Sequence, residues 1–469
     1  MDGFSAVGYW WLEQNEAQQI TGDLTYDPRQ GFSLALHGFF GSLERLNKEQ
    51  PDSTTIYGVT SDGKHISLYD CMTRGTKISM PGFPTEAYSS SHAIVGSSHV
   101  ADAARVFKRC YVELSLLGDW FEESPLSTTM SFKNEKYLTG VTIAYSRPKQ
   151  KHFVLPFGKM SLANGLQTDG SPVHGLSLTP SPHVRFTLSE RSTYEDILSR
   201  AVFPLRDLLS LGLNCPIQVT SVEFGKTKQP TPGESHFKYY FGGANGSVEV
   251  AENRLKPWML FSMSDLLAER GSLTNWFSAA DSLQEMVSLV FGIIHSSTFY
   301  LDLRFLAAVQ ALEIYHRRRF TSQEMNQDDY DKRVSEIRAL VPGSLGKWTE
   351  HKLGSNAKPF QQRMREVYDA IAPVIGELAG SREVFLNDLR NSRNYYTHRD
   401  DSTVTTYANG ADLYFLFEAV MTMLKACLLL EVGFSPARAR DLFMNNQDFL
   451  WLRRQLTGHW TPPSKEVSV

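Results

Sequence analysis

Cysteine is scarce in this chain, with only four among 469 residues. Cys71, Cys110, Cys215 and Cys427 lie far apart and include no Cys-x-x-Cys pair. Disulfide scaffolds and cysteine-rich zinc sites depend on closely spaced cysteines, so the sequence argues against both. We therefore expect a protein of a reducing compartment, with no bound metal and no other cofactor.

The chain also lacks an excess of charge of either sign. Its 47 lysine and arginine residues face 51 aspartate and glutamate residues, for a formal net charge of -4. Proteins that coat nucleic acid regardless of its sequence are strongly basic, so this class is excluded, whereas a local basic cleft is not. Hydrophobic residues (42%) and charged residues (21%) occur at ordinary globular frequencies, which excludes bulk disorder.

Long uninterrupted hydrophobic runs are missing as well. The N-terminus lacks the basic start and the apolar run of a signal peptide. The most apolar stretch, residues 413–434, is interrupted by Glu418 and Lys425. A membrane-spanning helix needs ~20 mostly apolar residues, so we interpret this stretch as a buried helix. The sequence predicts no membrane segment and a cytoplasmic location.

The chain up to about residue 255 has the pattern of a β-rich domain. Short apolar runs are repeatedly cut by turn residues, as between half-buried strands. Residues 56–59 and 65–68 flank an Asp62-Gly63 pair, which predicts a hairpin. Further strands are predicted at residues 138–145, 184–188, 217–224 and 237–241, and a helix at residues 194–211.

Beyond residue 255 the period of the apolar residues becomes helical. Apolar residues recur at steps of three and four in residues 283–294 and again in residues 305–315. Further helices are predicted at residues 360–378 (bent at Pro373), 383–396, 411–431 and 441–456. The sequence thus predicts an α+β multidomain protein, with a β-rich N-terminal domain at residues 1–255 and an all-α helical bundle at residues 256–469.

The motif that stands out is Arg393-Asn394 followed by His398. Walker loops, Gly-x-Gly-x-x-Gly, His-Glu-x-x-His and Gly-x-Ser-x-Gly motifs are all missing from the sequence. An Arg-x4-His spacing is weak evidence, because a match by chance is expected among 13 histidines. Only Arg393 is followed directly by asparagine between two long helical segments. The two other matches, in loop-like or tail contexts, are Arg147/His152 and Arg454/His459.

The Arg-Asn-x3-His string at the end of a helix, inside an all-α C-terminal part, resembles the motif of the HEPN ribonuclease superfamily. Residues 304–317 are similar to the first long helix of its ApeA-like branch. Residues 22–24 (Gly-Asp-Leu) and 56–58 (Ile-Tyr-Gly) resemble the β-rich N-terminal domain of ApeA anti-phage defence proteins. The resemblance implies a HEPN-type bundle and an abortive-infection ribonuclease, with its cleft at the two-fold interface of a homodimer.

The residue types of the motif suit RNA cleavage without a metal. The 2′-hydroxyl of RNA attacks the adjacent phosphate, which requires proton transfer near pH 7 and a fixed cation beside the phosphate. Histidine has an ordinary pKa of ~6.5, so His398 is the candidate for proton transfer. Arginine stays charged and can hold two phosphate oxygens, so Arg393 is the candidate cation. DNA lacks the 2′-hydroxyl and should be inert.

The spacing of the motif raises a geometric question. Positions five apart differ by ~140° around a regular α-helix, so Arg393 and His398 would not share a face. One solution is a helix that ends or distorts at residues 395–397, with Asn394 hydrogen-bonding the freed backbone groups. The other is a pair of protomers that bring their two motifs together, which is the arrangement that the HEPN resemblance implies.

Other polar residues each have two interpretations. Glu313 is either an ordinary surface charge or the group that holds Arg393 from a neighbouring helix. Residues 316–319 (His-Arg-Arg-Arg) are either a solvated helix end or a contact for RNA. The candidates for RNA contact are Arg317, Arg318, Arg390 and Arg399.

Two functions of different classes remain open on the sequence, beside a less favoured third in which the β-rich half binds a carbohydrate or a peptide and the helical half is an appendage. The first is a metal-independent endoribonuclease of anti-phage defence, whose β-rich domain senses a phage-derived trigger or restrains the dimer, with structured RNA such as tRNA as the expected substrate. The second is a non-catalytic HEPN dimerisation or interaction protein with a ligand-binding β domain. The intact motif favours the first, because a scaffold does not need a charged, protonatable pair on a helix. The sequence does not identify the trigger or the exact RNA.

Overall fold

A computed structural model describes residues 1–41, 53–78, 81–101, 106–122, 124–134, 136–171, 173–229, 236–243, 251, 253–296, 300–376, 380–399, 406–456 and 459–460. The chain divides into two compact units. The first contains Met1–Phe277 and His295–Ser297, and the second contains Ser278–Ile294 and Thr298–Val469. The first unit is rich in strands and the second is helical, which confirms the predicted fold class.

The first unit is built mainly from antiparallel strands. In chain order these are β1 (Phe4–Leu12), β2 (Ile20–Asp27), β3 (Gly31–Leu36), β4 (Thr54–Thr60), β5 (His65–Lys77), β6 (Thr85–Ser90), β7 (His92–Gly96), β8 (Val106–Leu114), β9 (Leu126–Lys133), β10 (Tyr137–Tyr145), β11 (Lys151–Leu155), β12 (Gly158–Ser171), β13 (Gly175–Thr193), β14 (Val219–Gly225) and β15 (Phe237–Phe241). The helices are α1 (Leu117–Phe121), α2 (Tyr194–Ile197), α3 (Phe203–Leu213), α4 (Met263–Ala268) and the first half of α5 (Ser272–Ser282), and a π-helical turn, Leu198–Val202, joins α2 to α3.

Most of the strands belong to one sheet, in the order β11-β12-β13-β8-β14-β15-β7-β5-β4-β1-β2-β3-β6. Strand β5 also pairs with β6, which closes β1 to β6 into a ring of six strands. Inward-facing side chains from alternate positions fill the ring, as the period of two predicts. They include Trp10, Leu24, Tyr26, Phe32, Leu34, Ile56, Ile66, Leu68 and Tyr88.

The predicted hairpin at Asp62-Gly63 is confirmed. Strands β4 and β5 pair with Gly58 opposite Ile66, and the Thr60 N–H donates to the Lys64 carbonyl at 2.9 Å. Gly58 is required by packing, because a Cβ there would lie 2.2 Å from Cε3 of the Trp10 ring. Gly58 therefore leaves room for the indole of Trp10, the largest aromatic side chain inside the six-stranded ring.

The predicted helix at residues 194–211 is present as the continuous segment from α2 to α3. The chain after it remains attached to the β-rich unit beyond residue 255. Leu260 and Phe261 N–H groups donate to the Gly212 carbonyl at 2.7 and 3.1 Å, and the Trp276 indole donates to the Pro204 carbonyl at 2.8 Å. These contacts place the first compact unit's main boundary after Phe277, whereas we predicted a domain boundary near residue 255.

The second unit is a bundle of helices. They are α6 (Gln284–Ile294), α7 (Leu301–Arg319), α8 (Gln327–Leu340), α9 (Gly346–Lys352), α10 (Phe360–Ile375), α11 (Arg382–His398), α12 (Gly410–Val432), α13 (Pro436–Met444) and α14 (Gln447–Leu456). The single helix predicted at residues 441–456 is wrong. The chain breaks there because Asn446 is a buried cap, whose Oδ1 accepts the Phe449 N–H at 2.9 Å.

Helix α12 is the apolar stretch that we interpreted as a buried helix. Its length and composition would also suit a membrane span, but 72% of its most apolar window is buried within the protein. Leu416, Val420, Leu424 and Cys427 are among its fully buried residues. This burial is typical of the central helix of a bundle.

Candidate active site

The motif residues lie in the last two turns of α11. The helix begins behind Ser381, whose hydroxyl accepts the Val384 N–H, and continues without interruption to His398. It ends at Arg399, which adopts a left-handed conformation (φ 53°) and donates its N–H to the Tyr395 carbonyl at 2.6 Å. The alternative in which the helix ends or distorts at residues 395–397 is therefore wrong.

Arg393 is half-buried and held from three sides. Its guanidinium donates to Glu313 Oε1 of α7 at 3.3 Å and to Asn394 Oδ1 at 3.3 Å. It also lies 5.5 Å from the centroid of the Phe360 ring at the start of α10. Asn394 thus binds the neighbouring arginine instead of freed backbone groups, and the side chain of Arg393 has little freedom to move.

Glu313 is the carboxylate around which the arginines collect. Arg363 of α10 donates to Glu313 Oε2 at 2.8 Å, and Arg317 lies 3.9 Å from the same oxygen. The Glu313 side chain is only 13% exposed and that of Arg363 only 12%. Three guanidinium groups, those of Arg317, Arg363 and Arg393, thus face one carboxylate, which leaves the cluster a net charge of +2.

A second polar bridge joins α7 and α10 one turn further along. His316 Nε2 lies 2.8 Å from Glu366 Oε2, and Lys358 donates to Glu366 Oε1 at 2.7 Å. His316 is fully buried and stacks on Phe320, so our interpretation of residues 316–319 as a solvated helix end is wrong for this residue. Burial lowers the pKa of His316, and the hydrogen bond with Glu366 offsets only part of that shift.

His398 lies on a different side of α11 from Arg393. Five residues along a regular helix correspond to ~7.5 Å along the axis and ~140° around it. The His398 side chain is exposed and makes no hydrogen bond or ion pair with the part of the chain that the structure describes. One copy of the chain therefore does not bring Arg393 and His398 together.

The predicted RNA-contacting arginines fall into different places. Arg390 donates to the side-chain oxygens of Gln361 and Asn391, at 3.0 and 3.1 Å, and pairs with no carboxylate among the described residues. Arg399 pairs with Asp302 at the start of α7, and Arg318 pairs with Glu285 at 2.6 Å. Arg317 and Arg390 thus contact residues of the helices that surround Arg393. Arg318 and Arg399 instead pair with carboxylates outside the Glu313 cluster.

Sequence reasoning missed Arg363 and Phe360. Both lie in the first turn of α10, and their positions relative to Arg393 depend on how α10 packs against α7 and α11. No motif marks them, because the apolar period of α10 reports its buried face and not its polar neighbours. As for a metal site, the described residues contain no group of three or more histidine, cysteine, aspartate or glutamate side chains that could hold an ion.

Two protein-family profiles match the chain. ApeA N-terminal domain 1 matches residues 5–276, and the ApeA-like HEPN profile matches residues 306–438. The chain belongs to the ApeA-like HEPN family. Comparisons with curated proteins and with solved structures gave no match.

The HEPN match contains the whole candidate site, from Glu313 through Arg363 to Arg393 and His398. The N-terminal match ends at residue 276, beside the last residue of the main segment of the β-rich unit. Membership of this family supports a HEPN-type protein of anti-phage defence. HEPN domains are typically ribonucleases and commonly dimerise. The positive arginine cluster around Glu313 suits such an activity, because arginine binds phosphate oxygens.

Proposed function

We propose that this chain is a metal-independent endoribonuclease of anti-phage defence, in which two copies form one active site. The observation that carries the proposal is the uninterrupted course of α11. This helix holds Arg393 against Glu313 and presents, on another side, His398, which pairs with none of the described residues. In the proposed dimer, a two-fold axis beside α11 would place the arginine of one copy opposite the histidine of the other.

In the proposed reaction the RNA 2′-oxygen forms a bond to the adjacent phosphorus while the bond from phosphorus to the 5′-oxygen breaks. One His398 takes the proton from the 2′-hydroxyl, and His398 of the second copy gives a proton to the departing 5′-oxygen. The products are a 2′,3′-cyclic phosphate and a 5′-hydroxyl. Because the nucleophile belongs to the substrate, the protein supplies proton transfer and charge only.

Arg393 would stabilise the negative charge that grows on the phosphate oxygens. Its anchors, Glu313 and Asn394, leave it partly exposed, so an oxygen can approach the guanidinium without a large rearrangement. Arg390 and Arg317 are proposed to hold flanking phosphates of the RNA. Arg318 and Arg399 would have to leave their carboxylate partners to do so, which makes them weaker contacts.

The test is cleavage of tRNA and total RNA by the purified full chain in excess EDTA. We expect 2′,3′-cyclic or 3′-phosphate ends, and no cleavage by His398→Ala or Arg393→Ala proteins that unfold at the wild-type temperature. Arg399→Ala is the matched control, since it changes a neighbouring cation on the same helix, and it should reduce cleavage by less than about tenfold.

Mixing the two inactive variants tests the shared site. Mixed dimers of Arg393→Ala and His398→Ala chains keep one Arg393 opposite one His398, whereas each variant alone has no such pair. They should therefore regain a part of the activity, below the wild-type rate because only one of the two proton-transferring histidines remains. A strict requirement for Mg²⁺, or full cleavage by the His398→Ala chain, would refute the mechanism. A wild-type chain that dimerises but cleaves no RNA, in vitro or in infected cells, would instead support a non-catalytic interaction protein. The β-rich unit as the sensor of a phage-derived trigger remains part of the proposal.

A further inference from the structure

Strands β9 and β10 form a two-stranded sheet that is separate from the large sheet of the β-rich unit. They pair antiparallel, with Met130 opposite Val141 and Phe132 opposite Leu138. The register shifts between Leu138 and Gly140 in β10, and on each side of this shift alternate residues of both strands point to the same side. The hairpin therefore has two faces that can be read directly from the pairing.

One face of the β9–β10 hairpin is apolar and uncharged. Its residues are Leu126, Thr128, Met130, Phe132, Leu138, Val141, Ile143 and Tyr145. The opposite face carries Ser127, Thr129, Ser131, Lys133, Tyr137, Gly140, Thr142 and Ala144. Such a division of side chains is typical of strands that have one face buried and the other in water.

The apolar face is nevertheless left uncovered by the residues that the structure describes. Five of its side chains are 49–57% exposed: Met130, Phe132, Leu138, Val141 and Ile143. Together they expose an apolar patch on the order of 500 Å², which is at the upper end of what a monomer usually shows. An isolated two-stranded hairpin is also only marginally stable in water. Both facts indicate that another surface covers this face.

We propose that the apolar face of the β9–β10 hairpin packs against the same face of a second copy of this chain. Such a two-stranded face can pack on its own copy around a two-fold axis at ~10 Å, the ordinary distance between stacked sheets. Two such faces would bury about 1,000 Å², which reaches the lower limit of specific interfaces. The face carries no charge, so it offers nothing to RNA phosphates or to a charged peptide.

This contact goes beyond the proposed ribonuclease site, because it lies in the β-rich unit, outside the region that matches the HEPN profile. Cysteine cross-linking in the full chain tests it directly. Three of the natural cysteines are buried and Cys215 is partly buried, so an added surface cysteine dominates the reaction. Met130→Cys introduces one on the apolar face, and Thr129→Cys introduces its matched control on the opposite face of the same strand.

With a bismaleimide linker about as long as the ~10 Å spacing between stacked sheets, we expect Met130→Cys to form covalent dimers at least tenfold faster than Thr129→Cys. Adding Phe132→Asp to the Met130→Cys chain should abolish the difference, whereas adding Ser131→Asp, on the opposite face, should preserve it. In light scattering, Phe132→Asp should weaken self-association at least tenfold, or halve the mass of the assembly if a second contact holds the copies in pairs.

Three results would overturn the proposal. The first is equal cross-linking rates for the two cysteine variants. The second is a wild-type chain that stays monomeric up to about 100 µM, well above the dissociation constants of stable dimers. The third is binding of the wild-type chain, but not of Phe132→Asp, to phosphatidylcholine vesicles without self-association, which would assign the face to a lipid surface.

Discussion

Replacing Glu313 by glutamine tests the centre of the candidate site. The substitution keeps the size of the side chain and one oxygen acceptor, but it removes the negative charge. In the wild-type structure that charge faces Arg363 at 2.8 Å, Arg393 at 3.3 Å and Arg317 at 3.9 Å. The variant leaves three arginines close together with no carboxylate between them.

The size of the effect follows from the burial of Arg363. Removing one partner of a buried ion pair costs about 3–5 kcal/mol, because the remaining charge is left without compensation. Glutamine retains one acceptor, and Arg317 is exposed, so we expect a loss at or just below the lower limit of this range, about 2–3 kcal/mol. For a helical unit of this size that loss corresponds to a fall in Tm of about 5–10 °C.

We expect Glu313→Gln to lower the rate of RNA cleavage in addition to lowering the stability of the helical unit. Without the Glu313 charge, the described partners that still hold the Arg393 guanidinium are Asn394, the Phe360 ring and the neutral oxygen of the new glutamine, so its position over the phosphate is less well defined. We expect kcat to fall at least about tenfold with KM changed less, since the lost interaction serves the transition state. The assays are thermal unfolding of the full chain and steady-state cleavage of RNA at a temperature where the variant is folded.

Glu366→Gln is the matched control for this prediction. Glu366 also bridges α10 to α7, through His316, but it does not contact Arg393. Its replacement should lower Tm while kcat stays within about threefold of wild type. If Glu313→Gln has the Tm and kcat of the wild type, Glu313 does not anchor the cluster. If both variants lose kcat equally, the cause is general loosening of the two helices.

Two further predictions concern the β-rich unit. Burial and the neighbouring His65 lower the pKa of His99 from 6.5 to about 4. Between these two pH values the unfolded chain therefore binds a proton at His99 that the folded chain does not bind. The stability that His99 contributes is complete above about pH 6.5 and is lost as the pH falls toward 4. His99 is only partly buried, so solvent screening reduces the expected loss to about 1–2 kcal/mol. Urea titrations at pH 7 and 4.5 should show this pH dependence reduced in His99→Gln. Gly58→Ala should destabilise the unit by about 2–3 kcal/mol because its Cβ would overlap the Trp10 ring, whereas Gly140→Ala, with open space around it, should change the melting temperature little. Equal effects of the two alanine variants would contradict the packing argument.

Local sequence determined much of the fold of this protein. The Asp62-Gly63 turn, the helix at residues 194–211 and the long helices α7, α11 and α12 follow from turn chemistry and from the period of the apolar residues. These signals act between residues a few positions apart, so a single sequence carries them. The same locality explains why the motif at residues 393–398 could be located on a helix before its neighbours were known.

Tertiary structure decided which polar groups meet. Glu313 and Arg393 are 80 residues apart in sequence, so the sequence left their contact as one of two interpretations, and only the structure decides for it. Arg363 joins them from a third helix, which no local pattern predicts. The apolar period of a helix reports which face is buried, but it does not report which charge lies opposite on the next helix. Burial of His316 and the break at Asn446 depend on the same long-range packing. The alternation in β9 and β10 is visible in the sequence, yet only the structure shows that their apolar face is uncovered, because exposure is set by the rest of the chain.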